Sequence, residues 1–576
     1  MIKYSAGKAQ AAITQELNAW QNENKMSRLW QNDPTLWTNH DENKWTGWLA
    51  LMQSELSETE RITALALQIK AEGFKHIVLL GMGGSSLCPD MWAKTFNPTN
   101  DYPQLHILDS TDPLQILHLE EHVDLKHTFF IVSSKSGTTL EPNIFKQYFY
   151  NRLQTVLNKQ DVGHCFMAIT DPKTPLDDLA QKEHFKAIFH GVPSVGGRYS
   201  ALSNFGMVPA GLMGLDINNF LNIAIEMAKA CGPNVSAQDN PGTILGVILG
   251  VCGKLGKNKI TLIVSPGIQA LGAWLEQLLA ESTGKQGKGL IPVDLEPLGS
   301  PPVYGDDRIF IYIRLEGADN IDHVQETVVA EIEKAGHIVA RVPVANLLHL
   351  GAALFLWEIA TVVAGSILDI NPFDQPDVEA SKIRTKQLTN EYEKTGKLSQ
   401  STPIYSEENI DLFTDETNFK DIENHLTGPK NLVNYMRAHL NRIHENDYVD
   451  LSAFIEMSDQ NITLLQQTRL LIRDAKKVAT CLGFGPRFLH STGQVYKGGP
   501  NIGVFLQITT DHPKDISIPG EKYSFGEVLN AQAQGDFEVL TQRSRRALRI
   551  HLKGNVVAGL KQLHQIIYLA LNKDQR

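Results

Sequence analysis

Short apolar runs alternate with amphipathic stretches over most of this chain. Between residues 70 and 210 the runs are HIVLLGM, QLHILDS, TFFIVSS, HCFMAIT and FKAIFHG, and from about residue 240 they are KITLIVS, GLIPV, RIFIYIRL and HIVARVPV. Strand-length runs that alternate with helical patterns are typical of a parallel sheet covered by helices. The pattern therefore predicts an α/β fold with two clear units, over residues 61–215 and 235–385.

The C-terminal part of the chain returns to the same alternation. Strands are predicted at YVDLSAFIEM, NIGVFLQIT and RALRIHLKG, and helices at NITLLQQTRLLIRDAKKVAT and NVVAGLKQLHQIIYLAL. Residues 386–425 are polar and acidic without a sustained apolar period, which predicts a linker. We therefore expect a third, diverged α/β unit over residues 426–576 and an N-terminal helical arm over residues 1–60.

The second and third units agree in detail. Two pairs of segments align in the same order. The first pair is GSPPVYGDDRIFIYIRL with STGQVYKGGPNIGVFLQIT, and the second is HIVARVPVANLLHLGAALFLW with ALRIHLKGNVVAGLKQLHQIIY. The agreement indicates either a diverged internal duplication or the ordinary patterning of two α/β units.

Length and composition are those of a folded protein with several domains. The chain has 576 residues, which is too long for one folding unit. Its composition, 42% apolar and 20% charged, excludes a predominantly disordered chain. The net charge of −11 argues against nucleic-acid binding, because phosphate-backbone binding needs a surplus of lysine and arginine. A small anionic substrate remains compatible with a locally positive site.

Cysteine usage and the apolar segments predict a cytoplasmic protein without a membrane partner. The cysteines are far apart and outside any C-x-x-C pair, which fits a reducing compartment: Cys88, Cys165, Cys231, Cys252 and Cys481. The N-terminus carries Glu16 where an export signal would need its apolar run. The apolar stretch from Leu350 to Leu368 contains Glu358 and predicts a buried helix rather than a membrane span.

The first predicted strand ends in a glycine-rich turn, GMGGSSLCPD. Gly83 and Gly84 permit a sharp turn that aims backbone N–H groups at an anion before the next helix begins. A dinucleotide site is the rival interpretation, and Asp109 at the end of the next strand resembles its ribose-binding acid. The G-x-G-x-x-G fingerprint fails, however, because Ser86 occupies the final glycine position.

A second turn, SSKSGTTLEP, gives a more specific signal. It brings four hydroxyls and a lysine to the start of a helix that has Pro142 in its first turn: Ser134, Lys135, Ser136, Thr138 and Thr139. A Ser/Thr capping box would explain one hydroxyl but not four beside a lysine. Because hydroxyls, backbone amides and the helix dipole converge here, we predict a site for the terminal phosphate of a small molecule.

Three further segments carry candidate catalytic groups. VGGRYSALSNFG places Arg198 behind two glycines, where its guanidinium can approach a ligand closely. LLAESTGKQGKG places Glu281 at the end of an apolar helix, where partial burial suits a proton-transferring base. NPFDQPDVEASK offers Gln375 and Lys382 in a polar turn that leads into a helix. Each residue alone has a structural explanation, whereas their combination indicates a catalytic site.

These segments together resemble the phosphoglucose isomerase family, in order, from about residue 25 to 385. GMGGSS and SSKSGTT are similar to its phosphate-binding segments, AESTGK to its base-bearing segment, and VGGRYSALSNFG and NPFDQPDVEASK to its two signatures. The resemblance implies parallel sheets of the sugar-isomerase (SIS) type and reversible isomerisation of glucose 6-phosphate and fructose 6-phosphate, with neither metal nor organic cofactor. Two alternatives stay open: an isomerase of mannose 6-phosphate or glucosamine 6-phosphate, and a non-catalytic sugar-phosphate-sensing module.

The resemblance also implies a role for each candidate residue. Substrate binding falls to Gly84, Ser85, Ser134, Lys135, Ser136, Thr138, Thr139 and Gln375. Catalysis falls to Glu281 as the base, Arg198 as the stabiliser of an enediolate, and Lys382 near the ring oxygen and phosphate. Asp377 replaces the glycine usual in the second signature, a departure that concerns the backbone geometry of that turn.

The family's ring-opening histidine is expected after the base segment, where this chain reads PLGSPPVYGDD. The third unit instead contains GPRFLHSTGQVYKGG, in which His490 and Gln494 are similar to the histidine-bearing segment. We therefore expect His490 to protonate the ring oxygen, since an imidazole suits acid work near neutral pH; a structural histidine that caps a loop is the alternative. A partner subunit supplies this histidine in the family, so the chain is expected to be a homodimer or a monomer completed by its own third unit.

The segment RLWQNDPTLWTNHDENKWTGWL and the extra C-terminal unit are similar to the isomerase portion of fused transaldolase and glucose-6-phosphate isomerase proteins. Few residues precede the first predicted strand, so we expect no transaldolase barrel and no Schiff-base chemistry. The implied role lies in glycolysis and gluconeogenesis.

Overall fold

Three sheets with flanking helices form the computed structural model of this chain, which describes residues 2–96, 101–317, 320–398 and 402–572. The predicted α/β class is confirmed. The central strands are buried over all or nearly all of their length, which explains why they read as continuous apolar runs and not as alternating ones.

An N-terminal segment precedes the first sheet. Its strand and helices are β1 (Lys3–Ser5), α1 (Gln10–Asn22), α2 (Lys25–Trp30) and α3 (Leu51–Ala71). The predicted arm is therefore mainly helical, but it begins with a strand, and α3 runs past the predicted boundary at residue 60. Buried tryptophans attach this segment to the rest of the chain. The Trp37 indole donates to the Val362 carbonyl at 2.9 Å, and Trp48 stacks on Tyr199 at a centroid distance of 5.4 Å.

The first unit is a five-stranded parallel sheet. Its elements are β2 (His76–Gly81), α4 (Leu87–Thr95), β3 (Gln104–Leu108), α5 (Pro113–His122), β4 (Thr128–Ser133), α6 (Leu140–Leu157), β5 (Phe166–Thr170), α7 (Pro175–Lys182), β6 (Ala187–His190) and α8 (Asn204–Leu212). The strand order is β3-β2-β4-β5-β6. All five strands lie where the apolar runs predicted them.

The second unit repeats this architecture. Its elements are α9 (Ile217–Ala230), α10 (Pro241–Lys254), β7 (Lys259–Val264), α11 (Leu271–Thr283), β8 (Ile291–Val293), β9 (Arg308–Leu315), α12 (Asn320–Lys334), β10 (Ile338–Val344), α13 (Leu350–Ile367) and α14 (Pro376–Thr395). The sheet order is β1-β10-β9-β7-β8, with β1 antiparallel at the edge. Helix α13 is long and apolar enough to cross a membrane, yet it is buried against α9, α10 and α11. The predicted buried helix is confirmed.

The third unit begins earlier than its sequence predicts. Its elements are β11 (Tyr405–Glu407), β12 (Ile410–Phe413), α15 (Glu416–His425), α16 (Leu432–Leu440), β13 (Tyr448–Phe454), α17 (Asp459–Lys476), β14 (Ala479–Phe484), α18 (Gly493–Gly498), β15 (Gly503–Thr510), α19 (Phe525–Gln542), β16 (Arg546–Leu552) and α20 (Val556–Leu571). The order is β11-β12-β16-β15-β13-β14, with β11 and β12 antiparallel.

The linker predicted over residues 386–425 is wrong for most of its length. Helix α14 continues through Thr395 and packs on α19, and β11, β12 and α15 belong to the third unit. Strands of three and four residues at a sheet edge are too short to show an apolar period, which explains the error. Residues 399–401 of the predicted linker lie outside the described residues.

Strand order relates the second and third sheets. The orders β10-β9-β7-β8 and β16-β15-β13-β14 place β9 with β15 and β10 with β16, as the aligned segments predict. The first sheet has the same four-strand core, β5-β4-β2-β3. Because a shared α/β topology produces the same order, duplication and ordinary patterning both remain explanations of the similarity.

A buried ion pair joins the second and third units. The Arg308 guanidinium binds Glu296 and donates to the carbonyl of Val478 at 2.8 Å. Glu296 also accepts from the backbone N–H of Thr480 at 3.0 Å. Burial acts to raise the pKa of Glu296, but the charge and hydrogen bond of Arg308, together with Arg469 and Thr480, outweigh burial and hold that pKa below its ordinary value. Hydrogen bonds of Val478 and Thr480 with a charged pair of the second unit thus fix the third unit at a point away from the candidate site.

Candidate active site

The predicted phosphate turn connects β4 to α6. Gly137 adopts the left-handed conformation (φ +67°), which lets the turn fold back so that Thr139 occupies the N-cap of α6. The Ser134 hydroxyl donates to Thr139 Oγ1 at 3.2 Å, and Thr138 Oγ1 donates to Ser136 Oγ at 3.0 Å. The four predicted hydroxyls therefore lie together at a helix N-terminus, where an anion is stabilised.

Lys135 lies in the same turn but has a protein partner for its charge. Its ammonium group forms an ion pair with Asp171, and it approaches the carbonyl of Pro193 at 3.4 Å. The positive charge expected for phosphate binding is thus shared with a carboxylate.

The glycine-rich turn after β2 touches the turn that carries Arg198. Gly84 and Ser85 are buried in a short 3₁₀ turn, Gly83–Ser85. A side chain at Gly84 would place its Cβ 2.1 Å from the carbonyl oxygen of Gly197, so only glycine permits this approach. Two predicted segments that are more than 100 residues apart in the chain therefore meet at their backbones.

Arg198 and Glu281 form a buried pair. Arg198 Nη1 lies 3.2 Å from Glu281 Oε1, and the two side chains are 2% and 10% exposed. Arg198 Nε donates to Ser282 Oγ at 2.8 Å, which orients the guanidinium towards the end of α11. The candidate base and the candidate electrophile are thus adjacent and largely shielded from water.

Gln277 connects Glu281 to the third unit. Its Nε2 donates to Glu281 Oε2 at 2.9 Å and to the carbonyl of His490 at 2.8 Å. The side chain is buried on α11, one turn before Glu281. A single amide therefore fixes the carboxylate relative to the segment that carries His490.

The loop before α14 wraps around two cations. Arg198 Nη2 donates to the carbonyl of Pro372 at 2.7 Å, and Arg198 Nη1 donates to Gln375 Oε1 at 3.0 Å. Lys285 pairs with Asp374 Oδ1 at 2.6 Å. Burial, together with the charge of Arg198, lowers the pKa of Lys285 to about 7. Gln375 is thereby brought next to Arg198.

Lys382 lies about two turns further along α14 than Gln375. Its Nζ is 2.9 Å from Glu379, and its side chain is 45% exposed. The structure therefore places this predicted catalytic residue at the solvent side, paired with a neighbour on its own helix. Its charge nonetheless acts on Glu141, as described next.

His490 faces α6, the helix that follows the predicted phosphate turn, within the same chain. It ends a 3₁₀ turn, Arg487–His490, and its Nε2 lies 3.1 Å from Glu141 Oε1 in the first turn of α6. Gln532 Nε2 donates to the same oxygen at 2.7 Å. Burial acts to raise the pKa of Glu141, but His490, a backbone hydrogen bond and, more weakly, Lys382 together outweigh burial, and the net shift is downward. Glu141 therefore holds a negative charge against the imidazole.

Arg487 anchors that 3₁₀ turn on the first unit. Its guanidinium pairs with Asp90 and lies 3.4 Å from Asp109 Oδ2. Ser86 Oγ donates to the same Asp109 oxygen at 3.0 Å. The acid that resembled a ribose ligand is thus an internal anchor for the third unit.

Two residues of this cluster escaped the sequence reasoning. Glu141 sits in the first turn of a helix, where an acid has an ordinary explanation in the helix dipole. Gln277 precedes Glu281 by four residues, and this spacing places both side chains on one face of a helix. That spacing is the sequence signal that could have identified Gln277 as a neighbour of the base. In the described ranges no three His, Cys, Asp or Glu side chains are grouped as metal ligands.

Known proteins share these segments. The family model for phosphoglucose isomerase matches residues 56–290. A glucose-6-phosphate isomerase of Parabacteroides distasonis is 30% identical over 407 residues, which cover 61% of this chain and 89% of that protein. A glucose-6-phosphate isomerase of Leptospira biflexa is 26% identical over 390 residues, covering 59% of this chain and 85% of that protein.

Solved structures share the fold. A hypothetical protein of Thermus thermophilus superposes with a TM-score of 0.57 at 22% identity, covering 67% of this chain and 99% of that one. A glucose-6-phosphate isomerase of Chlamydia trachomatis superposes with a TM-score of 0.52 at 22% identity, covering 64% of this chain and 78% of that one. On the extent of the sequence match, this chain belongs to the phosphoglucose isomerase family.

Proposed function

We propose that this chain interconverts glucose 6-phosphate and fructose 6-phosphate by ring opening and a cis-enediol intermediate. One observation carries the proposal: a buried carboxylate, Glu281, lies 3.2 Å from the guanidinium of Arg198 in a member of this family. Moving a proton between C1 and C2 of an open sugar needs one base within reach of both carbons and a cation facing the oxygen that gains charge.

Phosphate binding is assigned to the turn between β4 and α6. Ser134, Ser136, Thr138 and Thr139 would donate to the phosphate oxygens, together with backbone amides at the start of α6. Gly84 and Ser85, which lie against the turn before Arg198, would border the sugar. Lys135 would contribute part of its charge, since Asp171 already binds it.

Ring opening is assigned to His490. A protonated imidazole would give its proton to the ring oxygen as the C1–O5 bond breaks, while the C1 hydroxyl gives its proton to a water molecule and becomes the C1 carbonyl. Glu141, 3.1 Å from His490 Nε2, fixes the orientation of the imidazole. The products are the open aldehyde and a neutral imidazole, which closure of the ketose ring would protonate again.

Proton transfer is assigned to Glu281. Its carboxylate would take the proton from C2, the electron pair of that bond would form the C1=C2 double bond, and negative charge would develop on O1. Arg198 would stabilise that charge until O1 takes up the proton that the C2 hydroxyl releases. The proton on Glu281 would return to C1 as the carbonyl forms at C2. Gln375 and Lys382 would border the substrate on the α14 side.

A direct assay tests the proposal. Purified protein is given glucose 6-phosphate or fructose 6-phosphate, and formation of the other sugar is followed in both directions; mannose 6-phosphate and glucosamine 6-phosphate are tested in parallel. We expect turnover of the first two substrates. A folded protein that turns over neither of them would refute the proposal.

A further inference from the structure

Asp377 has partners in the third unit. It stands in the first turn of α14, at the position where the family resemblance led us to expect glycine. Its carboxylate is buried: Oδ2 accepts from Gln494 Nε2 at 2.9 Å and Oδ1 accepts from Arg543 Nη2 at 2.7 Å. The departure from the family pattern is thus matched by an amide and a guanidinium from the C-terminal part of the chain.

Gln494 uses its whole hydrogen-bonding capacity in this contact. Its Oε1 accepts from the backbone N–H groups of Asp377 at 3.0 Å and Val378 at 3.1 Å. Its Nε2 donates to the carbonyl of Gly284 and to Asp377 Oδ2, both at 2.9 Å. A primary amide has two donor hydrogens and one oxygen with two lone pairs, so these four partners fix its orientation completely.

The backbones around this amide are too close to slide. A Cβ at Gly284 would lie 2.3 Å from Val495 Cα, and a Cβ at Gly498 would lie 2.3 Å from Asp377 Oδ2. Gly284 follows Glu281 by three residues, and Asp377 follows Gln375 by two. Helix α18 therefore packs directly on the end of α11, which carries Glu281, and on the start of α14.

We propose that Asp377 and Gln494 are positioning residues that lock the third unit to the active site and so set His490 opposite Glu281. The proposal rests on the proposed function, because the two groups act on one sugar: His490 at the ring oxygen and Glu281 at C2. A displacement of about 1 Å between such groups can cost on the order of 10² in rate. Binding of the phosphate, which uses the first unit, is independent of this lock.

Exchanging the amide and the carboxylate across the contact tests the proposal. Gln494→Glu keeps an acceptor for the two N–H groups but sets a second carboxylate against Asp377. Since a misplacement of about 1 Å costs on the order of 10² in rate, kcat should fall by about that factor, with KM within about threefold. Adding Asp377→Asn restores an amide–carboxylate bond of reversed polarity and should recover at least about tenfold in kcat. A merely structural defect would not be repaired in this way.

Two further variants keep the test decisive. Asp377→Gly introduces no buried charge, so it stays informative if Gln494→Glu does not fold. It should lower kcat by about tenfold and leave KM within about threefold of the wild-type value. Gln542→Glu, the same chemical change as Gln494→Glu at an exposed position on α19, should match the wild type. Wild-type kcat in folded Gln494→Glu or in Asp377→Gly, or a folded double variant without recovery, would overturn the proposal.

Hydrogen exchange separates this proposal from the proposed function. The amides of Asp377 and Val378, which donate to Gln494, should exchange faster in Gln494→Glu and slow down again in the double variant. That readout needs no turnover. A wild-type protein without isomerase activity would defeat the proposed function, whereas unchanged exchange of these amides in Gln494→Glu would defeat the lock.

Discussion

Replacing Glu281 by glutamine tests the proposed base while nearly preserving the shape of the site. In the wild type, Oε1 lies 3.2 Å from Arg198 and Oε2 accepts from Gln277 at 2.9 Å. A glutamine offers only one acceptor oxygen to these two donors and cannot take a proton near neutral pH. The proposed phosphate contacts are left intact because they belong to the first unit.

The magnitudes follow from those contacts. Loss of a general base typically costs about 10²–10⁴ in kcat, which corresponds to about 2.7–5.4 kcal/mol of activation free energy. KM should stay within about threefold, because the unchanged phosphate contacts act in ground and transition states alike. One donor is left without its acceptor, so the free energy of unfolding should fall by about 1–3 kcal/mol.

The assay combines rates with isotope exchange. Initial rates are measured in both directions, and substrate recovered from D₂O is examined for deuterium at the transferred position. Glu226→Gln makes the same change on an exposed ion pair of α9 and serves as the control. A Glu281→Gln protein that keeps wild-type kcat, or that still exchanges the C2 proton at the wild-type rate, would place the base elsewhere.

Three further predictions concern the phosphate turn, the origin of His490 and a buried acid. Ser136→Ala and Thr139→Ala should each raise KM by about 10-fold to 100-fold with little change in kcat, since a hydrogen bond to a charged group contributes about 1.5–3 kcal/mol; steady-state kinetics showing a fall in kcat alone would contradict the assignment. Inactive Glu281→Gln and His490→Gln proteins, mixed with verified subunit exchange, should recover no activity, because both residues come from one chain in this structure; recovered turnover would show shared sites. Burial, reinforced by the charge of Glu58, raises the pKa of Glu55 to about 8 from 4.5, so the stability that the protonated Glu55 contributes is fully present below about pH 4.5 and is lost as pH rises through about 8. As pH rises over that interval, the urea midpoint of Glu55→Gln should therefore increase relative to that of the wild type. A difference between the two midpoints that does not change with pH would refute the raised pKa of Glu55.

Strands were predictable where they are buried on both faces. Strand β9, for example, coincides with the apolar run RIFIYIRL from end to end. Strand β14 was missed, and the helix predicted over residues 461–480 runs into its first two residues. The reason is that α17 ends without a glycine: Lys477 takes the left-handed position at φ +56°. A non-glycine residue there gives the sequence no visible stop signal.

The candidate site was predictable as far as its chemistry lies in local turns. Ser134 to Thr139 and Gly84 lie at the ends of strands, where a motif of consecutive residues already determines the geometry. Glu141 could not be recognised in this way, because its partner His490 is 349 residues away. Only the docking of the third unit turns a helix-terminal acid into the neighbour of an imidazole.

The way in which the third unit docks determines whether His490 is a fixed or a mobile group. Arg487, three residues before His490, is buried between Asp90 and Asp109; burial alone would lower its pKa, but the two carboxylates raise it above the ordinary value. Separating such a pair leaves uncompensated buried charges and costs about 3–5 kcal/mol. The hydrogen bonds of Gln277 and Gln494 across this boundary would have to break at the same time, together with the bond from Arg308 to the carbonyl of Val478. Opening of the third unit during each turnover is therefore unfavourable, and we expect His490 to stay fixed beside Glu141.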